Sequence, residues 1–329
     1  MIMQDQKQHN TPDGSISSLI RQLLRHPKFR ENNAPSLLVL SVFSLLILSR
    51  LIDTALLGRE QEYLSIILLQ LLIFLIPGLL YCKLQGSDFS SRIPLRMFRP
   101  SHILFLFSAL LVMVAGCLLI SIHTGGIEGS ERGFSLYETF TADLSSSAGV
   151  VLFQLLAFAA LPALCEELVF RGILLTALQQ RGSVCAFAFS ALYFGMLHFD
   201  FAQLPVYMFA GLLLCLVVRI TRSLPAAIVV HFLYNIFGLF GQSALARFYS
   251  YSGNDTMFRF LLTAALLIGA AIFCGEASRI YQRYAAESLP PPDLREIPRR
   301  ALPAALVRTL FPAAGVLCII IYIFVTLFG

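Results

Sequence analysis

This sequence predicts an all-α fold, a polytopic integral membrane bundle of about eight or nine transmembrane helices, and three observations lead there. Hydrophobic residues make up 57% of the 329 and charged residues only 13%. The mean hydropathy is +0.77. The apolar residues gather into runs of roughly 20, the length that crosses a hydrocarbon core of ~30 Å.

Residues 1–35 are polar. The first apolar run, 36–57, is longer than the h-region of a signal peptide and lacks a small-residue exit, so it is expected to stay as the first span. Ahead of it, Ile16, Leu19, Ile20, Leu23 and Leu24 recur at helical spacing with Arg21 and Arg25 opposite, and Pro27 follows. That pattern fits a short amphipathic helix, either on a membrane surface or in a linker. Further spans are expected near 62–82, 102–122, 149–180, 184–198, 203–220, 225–241, 259–276 and 303–328. The connection Arg219 to Ser223 is so short that its flanking helices form an antiparallel hairpin. The 123–148 stretch reads as a long acidic loop with Glu128, Glu131, Glu138 and Asp143, and Pro290-Pro291-Pro292 marks a linker before the last span.

Basic residues set the orientation. Lys7, Arg21, Arg25, Lys28 and Arg30 precede the first span, and Lys83, Arg92, Arg96 and Arg99 follow the second. The same alternation puts Arg181, Arg219 with Arg222, and Arg279, Arg283, Arg295, Arg299 and Arg300 on that side too. The N-terminus is therefore expected in the cytoplasm. The net charge of +5 reports orientation, and no nucleic-acid partner is expected. The seven cysteines are dispersed, mostly in apolar segments, without CxxC spacing, as inert buried thiols would be. No HExxH, phosphate-binding glycine loop, GxSxG elbow or internal repeat is present.

Chemistry is sought where polar groups interrupt the spans, because ionisable side chains at that depth are costly. Glu166 and Glu167 lie between LLAFAALPALC and LVF, with Pro162 loosening the helix one turn earlier. Glu167 and Arg171 are four apart and share a face, whereas Glu166 is rotated about 100° away. One carboxylate is thus paired and the other is left for another task. A snorkelling salt bridge explains the pair but not Glu166. His198 closes the run from Ala186, and His231 lies one turn before Asn235 on a common face. A single histidine in a span is more often a helix–helix hydrogen-bonding group. Two histidines, an unpaired carboxylate and an amide on successive helices point to one site.

The segments Glu166-Glu167-Leu-Val-Phe-Arg171-Gly172, Phe194-Gly-Met-Leu-His198 and His231-Phe-Leu-Tyr-Asn235 resemble, in order, the three motifs of the CPBP family. These are the CAAX proteases and bacteriocin-processing enzymes, or Abi family, which includes the type II CAAX prenyl endopeptidase. The likeness covers roughly 149–240. It implies an intramembrane peptidase in which Glu166 and His198 activate a water, His231 and Asn235 stabilise the oxyanion, and Glu167 with Arg171 supports the site. Amide hydrolysis needs a base, oxyanion donors and an acid for the leaving amine, and this set offers all three. The expected organisation is a cytoplasmic polar segment with its short helix (1–35), N-terminal helices and loops (36–148), a catalytic helix core (149–241) and C-terminal helices (242–329).

No cofactor is expected. The alternative is Zn²⁺ held by Glu166, His198 and His231 with an open fourth position. The expected partners are the lipid bilayer and a membrane-associated peptide or protein substrate, in a bacterial cytoplasmic membrane. Rival readings are a non-catalytic scaffold or immunity protein of the same fold, and a proton-coupled transporter, which would be expected to show repeated topology.

Overall fold

Within lipid, a backbone has to satisfy its own polar groups, so this composition builds helices. The computed structural model describes residues 27–49, 51, 59–138, 148–289 and 297–328. Among them the ordered elements are helices, with no strand. The amphipathic pattern at 16–24, Asp143 and the prolines at 290–292 lie outside the described residues.

The elements are α1 (Pro27–Ser49), α2 (Arg59–Gln70, continuing through Leu71–Leu75 into Ile76–Gln85) and α3 (Ile103–Glu138). Next come α4 (Ala148–Arg181), α5 (Ser183–Met196), α6 (Leu204–Thr221) and α7 (Leu224–Phe240). The chain ends with α8 (Gln242–Ser252), α9 (Asp255–Ala286), α10 (Leu302–Leu310) and α11 (Ala313–Phe328). Helix α3 is the hub and packs on α6, α7 and α9, while α11 packs on α1. The stretch after 123 that reads as a loop is helical as far as Glu138. Extending a formed helix needs no new nucleus, so a polar, glycine-containing sequence can continue one.

The described parts of the expected apolar runs are largely helical, as expected of an all-α polytopic bundle. Among the described residues five helices are long and apolar enough to cross a membrane, or up to seven if two bent pairs each count as one. The pair α7–α8 bends by 71° and α10–α11 by 69°. Helix α5 has 14 residues and covers only about 21 Å. Hydropathy registers an apolar run but not where it turns. After α5 the backbone turns at Phe199, whose φ is +48°. This leaves non-helical backbone partway along the bundle, which membranes tolerate where protein buries it or water lines it.

One end of the bundle gathers the basic connections. Pro94 O accepts from Leu224 N at 2.7 Å, and Ser223 Oγ donates to Arg96 O at 2.6 Å. Tyr284 Oη donates to Thr221 O at 3.1 Å, and Arg99 makes two bonds to Glu287 at 2.5 and 2.7 Å. The hairpin between α6 and α7 closes on Arg222, whose φ is +54°, and Ser223 Oγ then caps α7 by accepting from Ala226 N.

Candidate functional site

The site begins with an irregular helix. Along α4 a π-helical stretch, Leu155–Ala160, precedes the α-helical Leu161–Glu167, and a second, Leu168–Leu174, follows. Pro162 has no N–H to give to the preceding turn, and widened turns leave carbonyls to be bonded from outside. Gln70 Nε2 donates to Ala157 O at 3.1 Å, and Asn235 Nδ2 donates to Ala159 O at 3.3 Å. The loosened helix is thus tied to α2 and α7.

Glu167 is the anchor. Its Oε1 accepts from Arg171 Nη1 at 2.5 Å and from His231 Nδ1 at 2.9 Å. Glu167 and Arg171 both have 0% exposure, so neither charge is shielded by solvent. Arg171 reaches on to Gly211 O at 3.5 Å, and its guanidinium lies 4.0 Å from the Phe194 ring centroid. A paired carboxylate only accepts, so His231 Nδ1 carries a hydrogen and Nε2 is the nitrogen left for chemistry.

Glu166, the adjacent residue, is half-buried and makes no hydrogen bond or ion pair to another described residue. A carboxylate in that state on a spanning helix needs water. His198 is also half-buried. Its Nδ1 donates to Phe194 O at 3.1 Å, and its ring stacks on Tyr207 with centroids 3.7 Å apart and planes within 8°. The carbonyl fixes the tautomer, so His198 too presents Nε2. Phe194 makes edge contacts with His198 at 5.3 Å and His231 at 5.9 Å. It stands between the two imidazoles.

The structure therefore joins Glu167, Arg171 and His231 directly and sets His198 and His231 about one ring, Phe194. Asn235 is buried one turn beyond His231 with one amide hydrogen given to Ala159 O. No hydrogen bond links Glu166 to His198 among the described residues. Among those residues no three His, Cys, Asp or Glu side chains are grouped to hold a metal ion. Sequence reasoning missed the stacking of Tyr207 and the link from Gln70. A glutamine inside the apolar run 62–82 carries the same signal of polarity at depth that drew attention to Glu166.

Residues 148–237 match the family model described as Rce1-like, type II CAAX prenyl endopeptidase Rce1-like. The similarity to CAAX proteases is confined to this segment. The Rce1-like segment is about a quarter of the chain and contains Glu166, Glu167, Arg171, His198, His231 and Asn235. It is similar to protease cores of the CAAX type and is set among helices long and apolar enough to cross a membrane. No curated protein and no solved structure matches the chain.

Proposed function

We propose that the protein is an intramembrane endopeptidase that cuts a peptide bond in a membrane-associated peptide, with water activated by Glu166 and His198 and without a metal. The observation that carries this reading is the division between neighbouring carboxylates. Glu167 is tied through its Oε1 to Arg171 and His231, while Glu166 is half-buried and makes no hydrogen bond or ion pair to another described residue.

In this scheme Glu166 takes a proton from water as the water oxygen attacks the scissile carbonyl carbon, and His198 Nε2 holds that water. The oxyanion is met by Asn235 through its second amide hydrogen and by His231 Nε2. Because Nδ1–H is given to Glu167, His231 donates from Nε2 only as the imidazolium. The proton on Glu166 then passes to the leaving nitrogen as the C–N bond breaks. Arg171 and Phe194 position Glu167 and the rings.

The substrate is a peptide presented at the membrane, of CAAX type or leader type. The test is cleavage of a farnesylated C-terminal peptide and of an amphipathic leader peptide by full-length protein in vesicles. Glu166→Gln, His198→Ala and His231→Ala are each expected to abolish cleavage while leaving membrane insertion intact, and chelation should leave the wild-type rate unchanged. Stoichiometric zinc with chelator-sensitive cleavage would overturn the metal-free scheme. Unimpaired processing by all three variants would overturn the enzyme and favour a scaffold.

A further inference from the structure

A cavity of about 490 Å³ opens at the basic end of the bundle. It is lined by Arg92 and Pro94 of the loop before α3, Thr176, Gln179 and Gln180 at the end of α4, Arg219 and Arg222 of the α6–α7 hairpin, and Arg171. Glu166, His198 and His231 are not part of its wall. The described lining brings together four guanidinium groups, a threonine hydroxyl and two amides, and no carboxylate.

The guanidinium groups differ in role. Arg171 is compensated by Glu167 at 2.5 Å, yet its Nε is buried without a hydrogen-bond partner among the described residues. Arg222 stacks 4.4 Å from the Tyr284 ring centroid, which holds its charge at the rim. Arg92 is exposed and lies 5.3 Å from the Phe89 ring centroid. The loop carrying Arg92 is pinned to the hairpin carrying Arg219 and Arg222 by the Leu224–Pro94 and Ser223–Arg96 bonds. The positive charges are therefore held in place by backbone and do not rely on flexible side chains alone.

We propose that this cavity is a binding site for a phosphate group, borne by an anionic lipid head group or free in solution. Arginine forks match phosphate oxygens with paired hydrogen bonds, and the threonine and glutamines add neutral donors. The basic end of a membrane bundle is where anionic head groups accumulate. Arg171 belongs both to the cavity wall and to the ion pair with Glu167, so occupancy bears on the pair that holds His231. The site is thereby linked to the peptidase centre, although its binding does not depend on the peptidase reading.

The test uses full-length protein and reads binding separately from cleavage. Thermal unfolding is followed in phosphatidylcholine vesicles, in the same vesicles with 30% phosphatidylglycerol, and in phosphatidylcholine with added inorganic phosphate. It is run on wild type and on the catalytically disabled Glu166→Gln, so a failed peptidase leaves the readout intact. A stabilising shift with phosphatidylglycerol alone assigns the lipid head group, and a shift with inorganic phosphate assigns the free anion. Arg92→Gln combined with Arg219→Gln should weaken binding about 30-fold, given the contribution of each arginine at an anionic surface. Arg92→Gln alone changes an exposed loop residue and should weaken it about fivefold, which covers a double variant that fails to fold. No shift from either source overturns the proposal, as does a shift that both variants retain. A shift produced only by a peptide with a free C-terminal carboxylate, and lost on its amidation, also overturns it in favour of a peptide subsite.

Discussion

The adjacent carboxylates should fail in different ways. Glu167→Gln removes the negative charge bonded to Arg171, at a position where both groups have 0% exposure. Taking one member from a buried pair costs about 3–5 kcal/mol, mostly as an uncompensated charge. The amide oxygen still accepts one hydrogen bond, so the lower figure applies, and about 3 kcal/mol raises the unfolding constant more than 100-fold. Glu166→Gln changes a half-buried group with no hydrogen bond among the described residues, and its cost should stay within about 0.5 kcal/mol. The assay is unfolding by sodium dodecyl sulfate in mixed micelles, followed by circular dichroism, beside cleavage in vesicles. Both variants should lose activity: Glu166→Gln because the base is gone, Glu167→Gln because His231 is no longer oriented, which costs about 10² or more in rate. Replacing both members, Glu167→Leu with Arg171→Met, should recover much of the stability and none of the activity. Equal stability losses for the two glutamine variants would refute the division of roles, and so would a Glu167→Gln protein with normal stability.

Asn235→Ala should lower the cleavage rate by about 10² to 10³ through loss of an oxyanion donor. It should also destabilise the fold by about 1–3 kcal/mol, because Ala159 O loses its partner; unfolding and single-turnover cleavage check the two effects separately. Gly211→Ala would put a Cβ 3.0 Å from the Ala191 Cα, a backbone atom that cannot step aside, and should cost about 1–3 kcal/mol. Gly275→Ala meets nothing within 4 Å and should be neutral or stabilising by about 0.5–1 kcal/mol in the same unfolding assay. The Arg99 guanidinium holds the Glu287 carboxyl below its ordinary range. Its stabilising contribution is therefore present above that range and lost as pH falls through the depressed value. Glu287→Gln should flatten only this acid limb of a stability–pH profile, and high salt should do the same.

The helix class and the polar positions were legible because each has a local signal. Runs of apolar residues announce helices, and a charge inside such a run is conspicuous. The pairing of Glu167 with Arg171 follows from a spacing of four. The link from Glu167 to His231 crosses 64 positions of sequence, and no local pattern encodes it. The bends within two helix pairs were not legible, because hydropathy sums composition and ignores direction. The run 184–198 ends in a turn at Phe199, a residue with no preference for positive φ, so nothing in it announces the break. The arginines at 92, 219 and 222 were read as topology signals, which they are individually. That they line one cavity depends on the hydrogen bonds that fasten the loop at 94–96 to the hairpin at 223–224.

The irregular course of α4 ties these features into one device. A regular helix would keep its carbonyls to itself and give α2 and α7 nothing polar to hold. Pro162 and the π-helical stretch before it release Ala157 O and Ala159 O, which Gln70 and Asn235 take up. Asn235 is thus both a strut against the catalytic helix and a proposed donor to the oxyanion. The second π-helical stretch begins directly after Glu167 and contains Arg171. Widened turns shift the side chains that follow, and here Glu167 and Arg171 still meet, with the guanidinium lodged between the carboxylate and the Phe194 ring. Two neighbouring glutamates on a uniform helix would meet similar surroundings on adjoining faces. On this one, the regular segment that ends at Glu167 is fastened from both sides, and the chain holds one carboxylate inside an ion pair while its neighbour has no hydrogen bond or ion pair among the described residues.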